Sequence, residues 1–303
     1  MIPYSSQGWF RLLFSGPGSL SRGVAARLAV FGALSVAVVT LDKGVVQLHL
    51  PAGVHETSAA IVGLILAFRT NTGYNRFWEG RSLWGSIVNA SRNLAQIAEH
   101  HLRGDAGEVR SFLTWIAVFA WVTRRHLRAE KSWPEIARLI SPEDLEALTA
   151  ARHPSLFAAG RLSTVIAHWT TEERLDPMMS AQAQELVATL VNSLGACEKI
   201  AKTPSPLGHV LLMERFIALY LATLPFMLVT RIELLTPLVT ILIAYPILLL
   251  DALGAALDNP FGHDPSHLPL TRICLTIEQN LLGTAPPPES AFTTSLTKVF
   301  RRA

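Results

Sequence analysis

Charge is what this sequence has least of. Charged side chains make up 16% of its 303 residues, half of the chain is hydrophobic, and the mean hydropathy is +0.33. A soluble domain carries roughly a quarter charged residues, so the shortage of solvating groups points to lipid. The formal charge of +3 is too small for a nucleic-acid partner, and no Lys/Arg-rich run lies outside the C-terminal tail. Cysteine is nearly absent. Cys197 and Cys274 lie far apart without CxxC spacing, which excludes a disulfide scaffold and predicts reduced, inert thiols in a cytosolic compartment. No secretory leader is expected either: Arg11 and Arg22 flank only a short apolar patch with no cleavage site, so the first internal span is expected to direct insertion. No HExxH, GxSxG, P-loop or paired-carboxylate constellation is present, and Asp42, Glu214 and Asp251 are scattered without a motif, so no enzyme is expected. Strand-like alternation and internal repeats are also lacking. The fold class is all-α.

Apolar stretches are what the chain does have. A bilayer crossing takes about 20 mostly apolar residues, and four regions approach that length. The first, 28–48, contains Asp42 and Lys43. The second starts near Thr57, stays apolar to Phe68 and meets Arg69. The third, 206–230, contains Glu214 and Arg215. The fourth, 234–250, is uncharged but holds Pro237 and Pro246. Adjacent charges do not face each other on a helix, so each one inside a span needs a partner on another helix or must snorkel to the interface. The positive-inside rule orients these spans. Arg11, Arg22 and Arg27 precede the first; Arg69, Arg76, Arg81 and Arg92 follow the second; Lys298, Arg301 and Arg302 close the chain. The connection around 51–56 has no Lys or Arg, and the turn between the last two spans carries only Arg231. Four transmembrane helices with both termini cytoplasmic, in the cell inner membrane, satisfy this pattern.

The expected division is a cytosolic N-terminal segment 1–27, spans one and two in 28–80, a cytosolic helical domain 81–205, spans three and four in 206–255, and a cytosolic segment 256–303. The apolar run 111–123 is only 13 residues long, which suits a buried core helix rather than a span. Within the same domain, Ser141-Pro142-Glu143-Asp144 reads as a helix start, with a Ser cap, Pro in the first turn and acidic residues beside it. The tail from Ala285, three prolines and then a Ser/Thr-rich run, is expected to be mobile until packed on a neighbour.

Three motifs carry a family resemblance. The stretch Phe68-Arg-Thr-Asn-Thr-Gly-Tyr-Asn-Arg-Phe-Trp-Glu-Gly-Arg81, continuing as Ser82-Leu-Trp-Gly, resembles the bestrophin signature in its bacterial branch; Arg69, Asn71, Arg76 and Trp78 belong to it. Asn259-Pro260-Phe261-Gly262, beyond the fourth span, matches the family's tetrapeptide, and Asp176-Pro177 is a weaker match ahead of a helix at Met178. The resemblance covers nearly all of residues 20–285. It implies a homopentamer with one axial pore, lined by the second span. The family's hydrophobic neck maps onto Ala60, Leu64 and Phe68, which share one helix face because they lie four residues apart. Such rings stop ions by dewetting and by the cost of shedding hydration. Ala60 is smaller than the family's usual outer residue, leaving Leu64 and Phe68 as the main barrier. A register shifted by one residue would put Ile61 and Ile65 on the axis instead. Met178 maps onto a second constriction at the cytosolic exit, where a flexible thioether makes a less rigid aperture than Ile.

The calcium segment departs from the animal members. After Asn-Pro-Phe-Gly the chain reads His263-Asp264-Pro265-Ser266-His267, with one carboxylate. Calcium takes six to eight oxygen ligands, so no calcium activation is expected there, and no cofactor is. A transition metal on His263 and His267 is disfavoured because Pro265 argues against a helix. The neck is uncharged and leaves the permeant monovalent ion open: relatives imply chloride, whereas Glu172, Glu173 and Asp176 beside the exit outnumber Arg174 and would favour a cation such as sodium. The alternatives are a membrane-anchored scaffold acting through its helical domain, a polytopic membrane enzyme, and a wholly soluble helical protein.

Overall fold

The computed structural model describes residues 18–44 and 52–283. Arg11, Lys298, Arg301, Arg302 and the tail from Ala285 lie outside the described residues, as do residues 45–51 and the side chains of Arg22 and Lys43. Among the described residues ten α-helices follow in order: α1 Gly18–Gly44, α2 Ala52–His101, α3 Ala106–Arg128, α4 Pro134–Ala137, α5 Pro142–Ala150, α6 Pro154–Thr171, α7 Pro177–Lys202, α8 Leu207–Ile232, α9 Thr236–Leu257 and α10 Leu270–Leu282. No strand occurs among the described residues.

Local chemistry marks the helix starts. Four begin on proline at the first position, where its missing N–H costs nothing. The Ser141 side chain accepts the Asp144 amide at 3.1 Å, as the sequence predicts. Asp176 accepts the Met178 amide at 2.8 Å and starts α7. His153 caps α6 through Nδ1. Left-handed residues end α3 at Ala129 and α10 at Gly283.

Two hydrophobic bundles share one helix. In the first, α1, the N-terminal part of α2, α8 and α9 pack through Val24, Val62, Leu66, Leu221 and Leu248. The second joins the C-terminal part of α2 with α3, α6, α7 and α10 around Trp84, Ile116, Phe119, Leu162 and Leu190. α3 lies at its centre: from Phe112 to Thr123 every residue but Thr114 is buried, with Ile116 to Phe119 fully so. Glu278 fixes α10 there, accepting Trp121 Nε1 at 2.8 Å and Arg138 at 2.6 and 2.7 Å. α2 runs through both bundles. Its 50 residues extend about 75 Å at 1.5 Å per residue, without a break at the expected boundary at 80.

The outer surfaces of the two bundles differ. Leu211, Leu219, Leu238, Leu242 and Leu250 of α8 and α9 are exposed, as are Val30, Val36 and Leu41 of α1. Segments long and apolar enough to cross a membrane are Gly23–Asp42 and the 51-residue stretch Leu207–Leu257, which holds α8, a 3₁₀ turn Glu233–Leu235 and α9. The apolar stretches 206–230 and 234–250 are thus helical, corresponding to α8 and α9, with α9 running several residues further.

Candidate functional site

The apolar bundle hides charge inside. Asp251 of α9 is 3% exposed, and two cations reach its carboxylate: Arg69 Nε of α2 at 3.1 Å and Arg27 Nη1 of α1 at 2.9 Å. Glu214 of α8 lies 3.9 Å from Arg69 Nη2. Four helices therefore meet at one ion network. Sequence reasoning asked for a partner for Glu214 on another helix, which is Arg69, but it left Asp251 without a role. The available signal was a carboxylate inside an apolar segment, which demands a cation from a neighbouring helix.

Below this network the long α2 motif meets the tetrapeptide. A Cβ on Gly73 would sit 2.9 Å from the Gly254 carbonyl oxygen and from Leu257 Cβ, so α2 and α9 touch backbone to backbone here. Arg76 donates to the Asp258 and Ile200 carbonyls at 2.8 and 2.7 Å and pairs with the Asp258 carboxylate at 3.2 Å. A Cβ on Gly80 would lie 3.1 Å from the Phe261 ring, which is fully buried. Asn259 Oδ1 accepts the Phe261 amide, the Pro260 carbonyl accepts from Leu268, and Arg128 Nε donates to the Phe261 carbonyl at 3.0 Å. These residues form a rigid joint between the bundles. Asn71 and Trp78 instead point outward, Trp78 being 61% exposed.

Ala60, Leu64 and Phe68 form an exposed row on α2, with Leu64 at 56% and Phe68 at 57%. Phe68 also borders a groove with Met213 and Phe216 of α8. In the shifted register, Ile61 is exposed but Ile65 is half-buried. Met178 stands 74% exposed on the first turn of α7. Beside it, Glu172 pairs with Arg174 at 3.1 Å and His168 at 3.3 Å. Asp176 is held as the α7 cap, and Glu173 is exposed at a left-handed backbone position. Arg174 also hydrogen-bonds Glu108, and this contact holds the Glu108 carboxyl below its usual range and Arg174 above its own. The acidic patch is thus partly neutralised.

The model of the bacterial and fungal bestrophin proteins matches residues 1–283. The chain belongs to the bestrophin family. Bestrophins are membrane ion channels rather than enzymes. A protein from Nostoc sp. (strain PCC 7120), named as a voltage-dependent anion channel-forming protein, is 34% identical over 278 residues, 90% of each chain. YneE of Escherichia coli K12, named in the same way, is 31% identical over 288 residues, 93% of each. A solved structure of a bacterial bestrophin homologue from Klebsiella pneumoniae superposes with a TM-score of 0.82 at 27% identity, covering 87% of this chain and 99% of that one.

The segment after the bestrophin tetrapeptide turns its side chains apart. His263 reaches Glu130 at 3.2 Å, whereas His267 accepts the Asp264 amide and contacts the Ala256 carbonyl at 3.0 Å. The Asp264 carboxylate is occupied by Ser266. His263 and His267 therefore engage different partners. Both cysteines are buried and free, and burial pushes the Cys197 thiol up to about 12.

Proposed function

We propose that the chain assembles as a homopentamer in the cell inner membrane and conducts small monovalent anions, chloride among them, through an axial pore lined by α2. The observation that carries this reading is the exposed row Ala60, Leu64 and Phe68, in which more than half of the Leu64 and Phe68 surface is uncovered among the described residues. Symmetric copies around an axis would close that row into rings, and Leu64 and Phe68 would form the dewetting barrier. The half-burial of Ile65 favours this register over the shifted one. Tyr74 and Trp78, exposed further along α2, support self-association; the number five comes from the bestrophin resemblance.

The membrane-embedded bundle in this reading comprises α1, the pore-lining N-terminal part of α2, α8 and α9, giving four crossings within 28–80 and 206–255. Both termini and the helical domain 81–205 lie in the cytoplasm with the segment 256–303. Met178 would form the cytosolic aperture. Anion conduction follows the names of the Nostoc and Escherichia coli relatives. Cation conduction is the second reading, favoured by Glu173 and Asp176, exposed beside Met178. No calcium or other cofactor is proposed for the pore. Currents from the purified protein in planar bilayers under a KCl gradient decide between the two. A reversal potential on the chloride side supports the anion reading, one on the potassium side the cation reading, and a folded oligomer without current favours the scaffold.

A further inference from the structure

Three donors that lie far apart in sequence converge in the second bundle. His126 near the end of α3, His153 at the start of α6 and Glu198 on α7 place their ligand atoms within 4.8 Å of one another. Glu198 Oε1 lies 2.5 Å from His126 Nε2 and 2.9 Å from His153 Nε2. The imidazole rings are 4.7 Å apart between centroids. Lys202 holds the other carboxylate oxygen at 3.6 Å, turning Oε1 toward the histidines. The three side chains are 29%, 27% and 19% exposed, so a metal and a water have access.

We propose that His126, His153 and Glu198 form a transition-metal site that takes Zn²⁺, with water as the fourth ligand. Two imidazoles and a carboxylate with an open position suit tetrahedral zinc. Zinc bonds of about 2.0–2.1 Å set tetrahedral neighbours about 3.3 Å apart, so Glu198 Oε1 needs to draw back from each histidine nitrogen by less than about 1 Å. Metal on His153 Nε2 leaves the proton on Nδ1 and displaces the 3.3 Å cap bond from the Leu156 amide. Bound metal would tie the end of α3 and the start of α6 to α7, the helix that carries Met178 at its other end.

The test is Zn²⁺ titration of the untagged, chelator-stripped protein by calorimetry, with X-ray absorption on the loaded sample. Its readout is binding, so the outcome is independent of the channel reading. The expected results are one Zn²⁺ per chain and a coordination shell containing imidazole. Glu198→Gln keeps the shape of the carboxylate and His153→Asn keeps a capping oxygen; each should weaken binding by more than about tenfold. Replacing His100 and His101 with Ala should leave binding intact. A folded parent that binds no Zn²⁺, a shell without imidazole, or binding lost only in the His100/His101 variant would overturn the proposal.

Discussion

Arg69 of α2 and Asp251 of α9 meet at 3.1 Å with their side chains 10% and 3% exposed, and Arg27 of α1 closes on the same carboxylate. One buried acid thus pins three helices. Removing one partner of a buried pair costs about 3–5 kcal/mol, because the other charge is left without compensation. Asp251→Ala should therefore lower oligomer stability by roughly 3 kcal/mol or more. Arg27 is half-exposed, and Arg27→Gln should cost about 1 kcal/mol or less. Thermal unfolding in detergent, followed by circular dichroism, measures both.

Gly73 and Gly254 let two helices touch, an arrangement common where small residues line helix contacts in membranes. A methyl group on Gly73 meets the Gly254 carbonyl and Leu257 Cβ at 2.9 Å, and neither is the free end of a flexible chain. Gly73→Ala should destabilise by about 1–3 kcal/mol through overpacking. Gly160→Ala, whose added Cβ meets nothing within 4 Å, serves as the control. Comparing unfolding midpoints of the two variants gives the result.

Much of the architecture was legible along the chain, since apolar length and capping chemistry are local. The core role of 111–123, the Ser141 start and the helical identity of α8 and α9 all follow from short windows. The length of α2 was not legible, because polar Arg69 to Arg81 reads as a span end when it is a helix passing between bundles. Arg76 and Phe261 stood out only through the family resemblance, and their contacts with Asp258 and Gly80 were not legible at all. The convergence of Arg27, Arg69 and Asp251, like that of His126, His153 and Glu198, depends on contacts between helices distant in sequence, for which no local spacing exists.

Asp176 combines two roles that mutation can separate. Its carboxylate caps α7 through the Met178 amide at 2.8 Å while adding charge beside Met178. Losing a cap costs about 1 kcal/mol, whereas Asn caps as well as Asp. Asp176→Ala should lower stability by about 1 kcal/mol, and Asp176→Asn should leave the unfolding midpoint nearly unchanged. Bilayer recordings on the Asn variant then read the effect of charge alone; the anion reading predicts a larger chloride current.

Acid should loosen the second bundle through Glu130. Burial pushes this carboxyl up, but hydrogen bonds from Arg124 and His263 and the charge of Arg124 outweigh burial, and its pKa lies below 4.5. A depressed acid stabilises the fold above its unfolded pKa, and that contribution is lost as pH falls through the folded value. The unfolding temperature should hold at pH 5–7 and decline below about pH 4.5. In Glu130→Gln this acid limb should be shallower and the neutral-pH stability lower, as a pH series of thermal melts would show.

Leu64 and Phe68 as rings around an ion path are the centre of the account. The direct measurement is single-channel current in planar bilayers from the parent and from the variant with Leu64→Ala and Phe68→Ala, both confirmed as folded oligomers. If Leu64 and Phe68 ring the axis, removing both lowers the dewetting barrier, and the current should rise several-fold in the variant. An unchanged current, with both proteins inserted and conducting, would contradict the placement of these residues on the axis.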